Sequence, residues 1–226
     1  RMEKRLVRYI MDMCKKYNLP IEGSRRNYGR ILFHIKTKYV PRAMRLFRFF
    51  IGVYSYSPAF KLTKDYEFVK NTLVEYADDF LCDGDSFAIR ARRIKPYPKT
   101  TPEIEREVGA AVIKSFHSRD ESLSVDLETP DKTVYVEIRQ KYSYVYSHIV
   151  GTYWGGNPIE HDKSMLTVFT KDLRPELGHI ASHLMVRRGS VVTPIVFQEK
   201  GFSFEGELKK KAQSILSYYP QSLPLV

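Results

Sequence analysis

The sequence predicts a mixed α/β (α+β) protein, and three observations carry that prediction. Apolar residues switch between the 3.6-residue spacing of amphipathic helices and the two-residue spacing of half-buried strands. The connections between these stretches are short, and the last third of the chain repeats a strand-then-helix order that fits the opening of a Rossmann-like parallel sheet. A hydrophobic content of 43% with 12 Gly and 12 Pro among 226 residues excludes a disordered or collagen-like chain.

From Met2 to Tyr17, Leu6, Ile10, Met13 and Tyr17 fall at helical spacing with Val7 and Cys14 beside them, and Arg5, Arg8, Lys15 and Lys16 take the remaining surface. Asn18, Pro20 and Gly23 end that helix, and Arg25–Arg26 reads as a basic turn. Residues 30–36 then alternate as a strand, with Ile31, Phe33 and Ile35 on one face. Pro41 opens a short helix carrying Met44, Leu46, Phe47 and Phe50, residues 51–57 read as a strand ending at Pro58, and residues 65–80 as a helix packing through Phe68, Leu73, Tyr76 and Ala77.

A second unit opens at Gly84–Ser86. Residues 86–95 set Phe87, Ile89 and Ala91 against Arg90 and Arg92, a strand with one buried and one basic face. After the loop 96–100, Thr101, Pro102 and Glu103 supply an N-cap, a proline in the first turn and an acid near the helix dipole, ahead of the stripe Ile104, Val108, Ala111 and Val112. Residues 133–139 and 144–149 form a hairpin, and Gly151 to Pro158 reads as a linker rich in turn formers. Strands at 165–169 and 191–197, helices at 178–188 and 207–218, and an apolar run at 223–226 complete a β-α-β-α-β pattern.

Charge is distributed unevenly. Residues 1–48 hold 14 Lys/Arg against 3 Asp/Glu, so the whole net charge of +11 lies in the first fifth of the chain. Such an excess reads as a footprint for a polyanion, either nucleic acid or an anionic membrane surface, with a solvated helix face as the plain alternative. No apolar run reaches the roughly 20 residues a bilayer needs, and no export signal is visible, so a cytoplasmic location is expected. Cys14 and Cys82 lack the patterned spacing of a disulfide framework or a metal cluster.

The succession Gly52-Val-Tyr-Ser-Tyr-Ser-Pro-Ala59, Phe87-Ala-Ile-Arg-Ala-Arg-Arg93, Ile104-Glu-Arg-Glu-Val-Gly109, Val125 to Asp131 with Val134-Tyr-Val-Glu-Ile-Arg139, and Gly155-Gly-Asn-Pro158 resembles the tRNA 4-thiouridine synthetase family over nearly the whole chain. The resemblance implies an N-terminal ferredoxin-like domain at residues 1–82 whose opening strand would precede Arg1, a THUMP domain at 83–150, a linker at 151–163, and a partial, degenerate PP-loop domain at 164–226. It also implies binding of tRNA through its acceptor stem and unpaired 3′ ACCA end, and a homodimer in which one subunit presents tRNA to the other.

Residue chemistry supplies candidates for that binding. Arg90, Arg92, Arg93, Lys95 and Lys99 place five cations and no acid within ten residues, beside a helix N-terminus that adds anion affinity. Tyr97 offers a face to an unpaired base, while Arg25, Arg26, Arg30, Arg42, Arg45 and Arg48 extend a track along a duplex backbone. The alternative for the Arg90–Lys99 cluster is a charged strand edge that deters aggregation, with Arg92 paired locally to Glu103 or Glu105. Tyr142, Tyr144 and Tyr146 read as a cross-strand packing ladder.

The catalytic pattern is different. The family holds ATP phosphates with an SGGxDS loop, because backbone amides must approach them closely. Aligned on the helix at 178–189, that loop falls on Leu173-Arg-Pro-Glu-Leu-Gly178, where the paired glycines are missing, Pro175 offers no amide hydrogen and Glu176 brings negative charge. No cysteine follows Cys82 to carry sulfur. His179 and His183 sit at i and i+4 without a third ligand at metal spacing, which favours a surface or packing role.

The expectation is therefore a tRNA-binding THUMP protein of tRNA thiolation that has no ATP-dependent catalysis or cofactor of its own and works with a separate catalytic or sulfur-donor protein. Two alternatives stand: an active tRNA sulfurtransferase whose catalytic residues lie outside this chain, and a non-enzymatic basic protein on an anionic surface. A membrane partner is not expected, because the first helix carries core-sized residues that other elements of the chain can cover.

Overall fold

A computed structural model describes residues 2–27, 29–94, 96–156, 164–169, 175–187, 190–196 and 207–218 of the chain. In chain order the elements are α1 (Met2–Lys16), β1 (Gly23–Asn27), β2 (Arg30–His34), α2 (Val40–Phe47), β3 (Ser55–Tyr56), β4 (Phe60–Thr63), α3 (Tyr66–Glu75), β5 (Ser86–Arg93), α4 (Thr101–His117), β6 (Ser124–Val125), β7 (Lys132–Ile138), β8 (Tyr142–Tyr146), β9 (Val150–Gly151), β10 (Ser164–Phe169), α5 (Pro175–Arg187), β11 (Val191–Val196) and α6 (Glu207–Leu216). They divide into two compact units, Arg1–Tyr56 with Val150–Val226, and Ser57–Ile149.

In the first unit the expected α1 stripe is the centre of the core. Ile10, Met13 and Cys14 are buried together with Phe47, Phe50, Trp154, Val186, Val192 and Ile215. Burial pushes the Cys14 thiol up to about 12, so it remains protonated and inert at neutral pH. Two parallel strands, β10 and β11, are joined through α5 as a βαβ unit, and the residues just after α6 are tied to α1 and its end: the Tyr9 hydroxyl donates to the Tyr218 carbonyl at 3.0 Å and the Tyr17 hydroxyl to the Ser217 carbonyl at 2.9 Å. The segment expected as a separate PP-loop-like piece thus shares its core with the N-terminal elements. Gly155 and Gly156, expected in a linker, form a packed turn at φ 68° and 77°, and a Cβ on Gly156 would stand 2.7 Å from the Tyr54 Cβ.

Two strands depart from the sequence pattern here. Gly23–Asn27 is a strand rather than a basic turn, paired antiparallel to β2 with Gly29 at φ 68° in the connection. Its five residues have no apolar alternation, and the hydrogen bonds to β2 define it. Conversely, the expected strand 51–57 shrinks to β3, because Gly52 at φ 81° turns the chain just after the buried Phe50 and Ile51.

The second unit is a five-stranded sheet in the order β4-β8-β7-β5-β6, with β5 parallel to β6 and β7 and the other pairs antiparallel. Helix α4 crosses from β5 to the parallel β6 on one side, and the chain then passes to the parallel β7 on the other. Both α3 and α4 cover one face, where Val69, Leu73, Ile104, Val108 and Val112 meet Phe87, Ile89, Val134 and Val136. Each such side chain contributes roughly 1.5–3 kcal/mol when fully buried. The expected boundary at residue 82 therefore differs from the packing, since the helix expected before it belongs to this core. Of its expected packing residues Leu73 and Ala77 are buried, joined by Val69, whereas Phe68 and Tyr76 are exposed, and a 3-10 turn at Ala77–Asp79 replaces its last turn. Strands β4 and β6 are additions to the sequence reading. The run 223–226 lies outside the described residues.

Candidate nucleic-acid interface

The first unit carries its candidate cations on two elements. Arg25 and Arg26 are exposed on β1 and Arg30 opens β2, so all three lie on one hairpin. Consecutive strand residues face opposite sides, which places Arg25 and Arg26 on the two faces of that hairpin, with Arg26 4.0 Å from Glu3. Arg42 and Arg45 stand three residues apart on the exposed side of α2, opposite the buried Ala43 and Phe47, and Arg48 caps its C-terminus, where a cation also complements the helix dipole. Arg42 donates to the Tyr17 carbonyl at the end of α1. Burial raises the Tyr56 phenol, and a hydrogen bond from Arg48 opposes that rise.

In the second unit the expected cluster splits. Arg92 is exposed, and Arg90 is half-buried and donates to the Leu127 carbonyl. Arg93 instead ties the following loop to the sheet: its Nη1 donates to the Lys99 carbonyl at 2.9 Å and to the Tyr97 carbonyl at 3.4 Å, and its Nε to Thr101 Oγ1 at 3.3 Å. Tyr97 packs against the core and donates its hydroxyl to the Lys64 carbonyl at 2.6 Å, with its phenol raised by burial and by Asp65. Lys99 donates to both carboxylate oxygens of Glu107 at 2.8 Å and lies 4.6 Å from the Tyr66 ring centroid. Tyr66 donates to the same carboxylate at 2.6 Å, and the Lys99 and Tyr66 hydrogen bonds hold Glu107 below the usual carboxylate range. Arg93, Tyr97 and Lys99 thus clamp a loop. Lys95 lies outside the described residues.

The local acids have other partners than Arg92. Glu103 closes a capping box with Thr100, and Glu105 Oε1 accepts from the Ala91 amide at 2.8 Å. The N-cap of α4 is therefore Thr100, one residue before Thr101. Glu137 and Arg139, two positions apart on β7 and just beyond it, form a buried ion pair that the alternation of residues 133–139 did not reveal.

The PP-loop-aligned segment is described from Pro175 onward, with Leu173 and Arg174 outside the described residues. Pro175 to Gly178 form the first turn of α5, and Glu176 accepts from Lys211 of α6 at 2.6 Å. Gly178 has a packing reason: a Cβ there would stand 3.0 Å from the buried Phe169 ring. His183 stacks on Trp154 at 5.6 Å and contacts the Tyr218 hydroxyl at 3.3 Å, while His179 contacts Ser214 Oγ at 3.1 Å. Burial, then His183 and Lys211, lower the His179 pKa. Among the described residues no group of three His, Cys, Asp or Glu could hold a metal, and no helix is long and apolar enough to cross a membrane.

Comparison with known proteins gives this surface a context. Residues 64–148 match the family model of the THUMP domain. A probable tRNA sulfurtransferase of Methanosarcina acetivorans is 34% identical over 193 residues, covering 85% of this chain and 45% of the relative. That of Methanosarcina mazei is 30% identical over 210 residues, covering 93% and 50%. The chain spans about half the length of the curated relatives it matches. Among solved structures, PH1313 from Pyrococcus horikoshii Ot3 is similar with a TM-score of 0.78 and 25% identity over 97% of this chain and 69% of that one. A 4-thiouridine synthetase, solved as an RNA complex with bound ATP, has a TM-score of 0.74 and 23% identity over 95% and 52%.

Proposed function

Because the chain belongs to the tRNA 4-thiouridine synthetase, or tRNA sulfurtransferase, family and carries its THUMP domain, we propose that it binds tRNA through the acceptor stem and the 3′ ACCA end and holds it for thiolation chemistry performed by residues outside this chain. The observation that carries the reading is the concentration of the entire charge excess in residues 1–48, on the same chain as the THUMP domain. Arg42, Arg45 and Arg48 serve duplex phosphates, which a rigid helix presents at regular spacing. Each phosphate neutralised releases condensed counterions, so affinity falls with salt by a log–log slope of about 0.7–0.9 per contact.

The reading assigns no ATP-dependent step to this chain. In the segment aligned with the family's phosphate loop, two glycines that would let amides reach a phosphate are replaced, and Glu176 is committed to Lys211. Calorimetric titration with ATP is expected to give no heat of binding; tight ATP binding, or tRNA-dependent ATP–pyrophosphate exchange, would restore the active-enzyme reading. For the tRNA-binding claim, the measurement is a salt titration of tRNA affinity with the Arg42→Gln, Arg45→Gln, Arg48→Gln triple variant. Its log–log slope is expected to be shallower than that of the parent by roughly 2 to 3, and an unchanged slope would remove α2 from the interface.

A further inference from the structure

The five-stranded sheet ends at β6, which among the described residues pairs with β5 alone. Two hydrogen bonds hold it there: the Ser124 amide donates to the Asp85 carbonyl at 3.2 Å and the Asp126 amide to the Phe87 carbonyl at 3.1 Å. Alternation along an extended chain turns the N–H and C=O of Val125, between them, away from β5. Those are the groups a further strand would pair with. The side chains run the same way. Leu123 is buried in the core, while Val125 and Leu127, following at two-residue intervals, are 52% and 59% exposed. The apolar row of the core thus runs out past the last strand into solvent.

Charge surrounds this edge. Residues 75–85 hold five acids and no Lys or Arg, and residues 117–131 hold five acids and one Arg, ahead of Lys132. Hydrogen bonds gather both stretches at one end of the unit. Arg119 donates to both Asp78 carboxylate oxygens at 2.7 and 2.8 Å, Asp83 accepts from the Ser122 amide at 2.7 Å, and Asp131 accepts from the Ser86 amide at 3.0 Å. Arg119 is shared between Asp78 and Glu121, and Asp120 and Glu128 bring exposed charge to either side of β6. The eight residues of β5 separate this acidic end from Arg93 by roughly 23 Å. A phosphate backbone is repelled here, and a cationic polypeptide is attracted.

We propose that the β6 edge docks a basic, strand-forming segment of a partner protein. Its main chain pairs with Val125, its apolar side chains cover Val125 and Leu127, and its Lys or Arg side chains meet Asp120 and Glu128. Strand addition of this kind takes affinity from main-chain hydrogen bonds and specificity from alternate side chains, while opposite charge speeds the encounter. The same acids keep the β6 edges of two copies apart, since like charges face each other there, so the occupant is a partner of opposite sign. The inference stands apart from the tRNA reading and uses the end of this unit away from the Arg92 and Arg93 cations.

The test uses the full chain and a labelled peptide of alternating arginine and valine, with two controls: the same peptide N-methylated at alternate backbone amides, which keeps the charge but cannot pair as a strand, and a peptide with glutamate for arginine. The plain peptide is expected to bind and to slow hydrogen exchange at the Val125 amide, and both controls to bind at least about tenfold more weakly. Asp120→Asn with Glu128→Gln should slow association and weaken binding about fivefold, and Val125→Lys should abolish it, with denaturant midpoints of both variants at the parental value. Equal binding of the N-methylated peptide, exchange protection elsewhere than at β6, or unchanged affinity in both variants would overturn the proposal, as would a parent chain that does not bind the plain peptide. Exchange protection in the parent decides the matter should a variant fail to fold. Binding of intact tRNA, measured alongside, is expected to persist in every variant, so the two readings fail separately.

Discussion

Glu137 and Arg139 show how much one residue pair can carry. Their side chains are 4% and 3% exposed, so each charge depends on its partner for the solvation that water would otherwise supply. Arg139→Met should cost about 3–5 kcal/mol in denaturant unfolding, because it leaves a buried carboxylate uncompensated, whereas exposed Arg92→Gln should stay within roughly 0.5 kcal/mol. Glu107 gives a pH signature. Its hydrogen bonds from Lys99 and Tyr66 lower its folded pKa from the ordinary 4.5, so its contribution to stability is complete above about pH 4.5 and is lost as pH falls through the folded value. Melts recorded from pH 3 to 7 should therefore show a shallower acid limb for Glu107→Gln. Composition exposed the cations at Arg93 and Lys99 but could not assign them, since a carboxylate or carbonyl that claims a cation sits in another element; Glu107 is eight residues from Lys99 and the Tyr66 that shares it is farther still.

At the scale of elements, Thr100 caps α4 through its side chain and Glu103 answers to the Thr100 amide. Thr100→Ala should destabilise by about 1 kcal/mol and Thr101→Ala by much less, a difference that chemical denaturation resolves. Gly156→Ala should cost about 2 kcal/mol or more, since it combines a left-handed backbone with a Cβ placed against the Tyr54 main chain. Elements with their own periodicity were legible in the sequence: α1, α4, β5 and β7 have stripes or alternation dense enough to specify both type and inward face. Strands β1, β4 and β6 were not, because their hydrogen bonds come from partners and their residues alternate weakly or number only two. Helix α3 was legible as a helix and in part of its facing, since Leu73 and Ala77 are buried as expected, but the large aromatic rings of Phe68 and Tyr76 lie exposed while the smaller Val69 fills the core beside them.

For the whole molecule, the net charge of +11 lies entirely in residues 1–48, where α1, the β1–β2 hairpin and α2 all carry exposed cations, while Lys61, Arg90 and Arg92 belong to a remainder of the chain in which cations and acids balance. Sequence reading located the N-terminal excess and the Arg90–Arg92 pair. Residues 61, 92, 135 and 146 come from four strands, and only strand register brings them onto one face, which no sequence pattern displays. The duplex phosphates of an acceptor stem and the unpaired nucleotides beyond it ask for two kinds of surface, regular cations for one and aromatic faces for the other. The central claim is that the chain reads both. Filter binding of intact tRNA against the same tRNA lacking its 3′ ACCA nucleotides tests it most directly: the account predicts salt-sensitive binding of both, with the trimmed molecule at least several-fold weaker, and equal affinity for the two would contradict it.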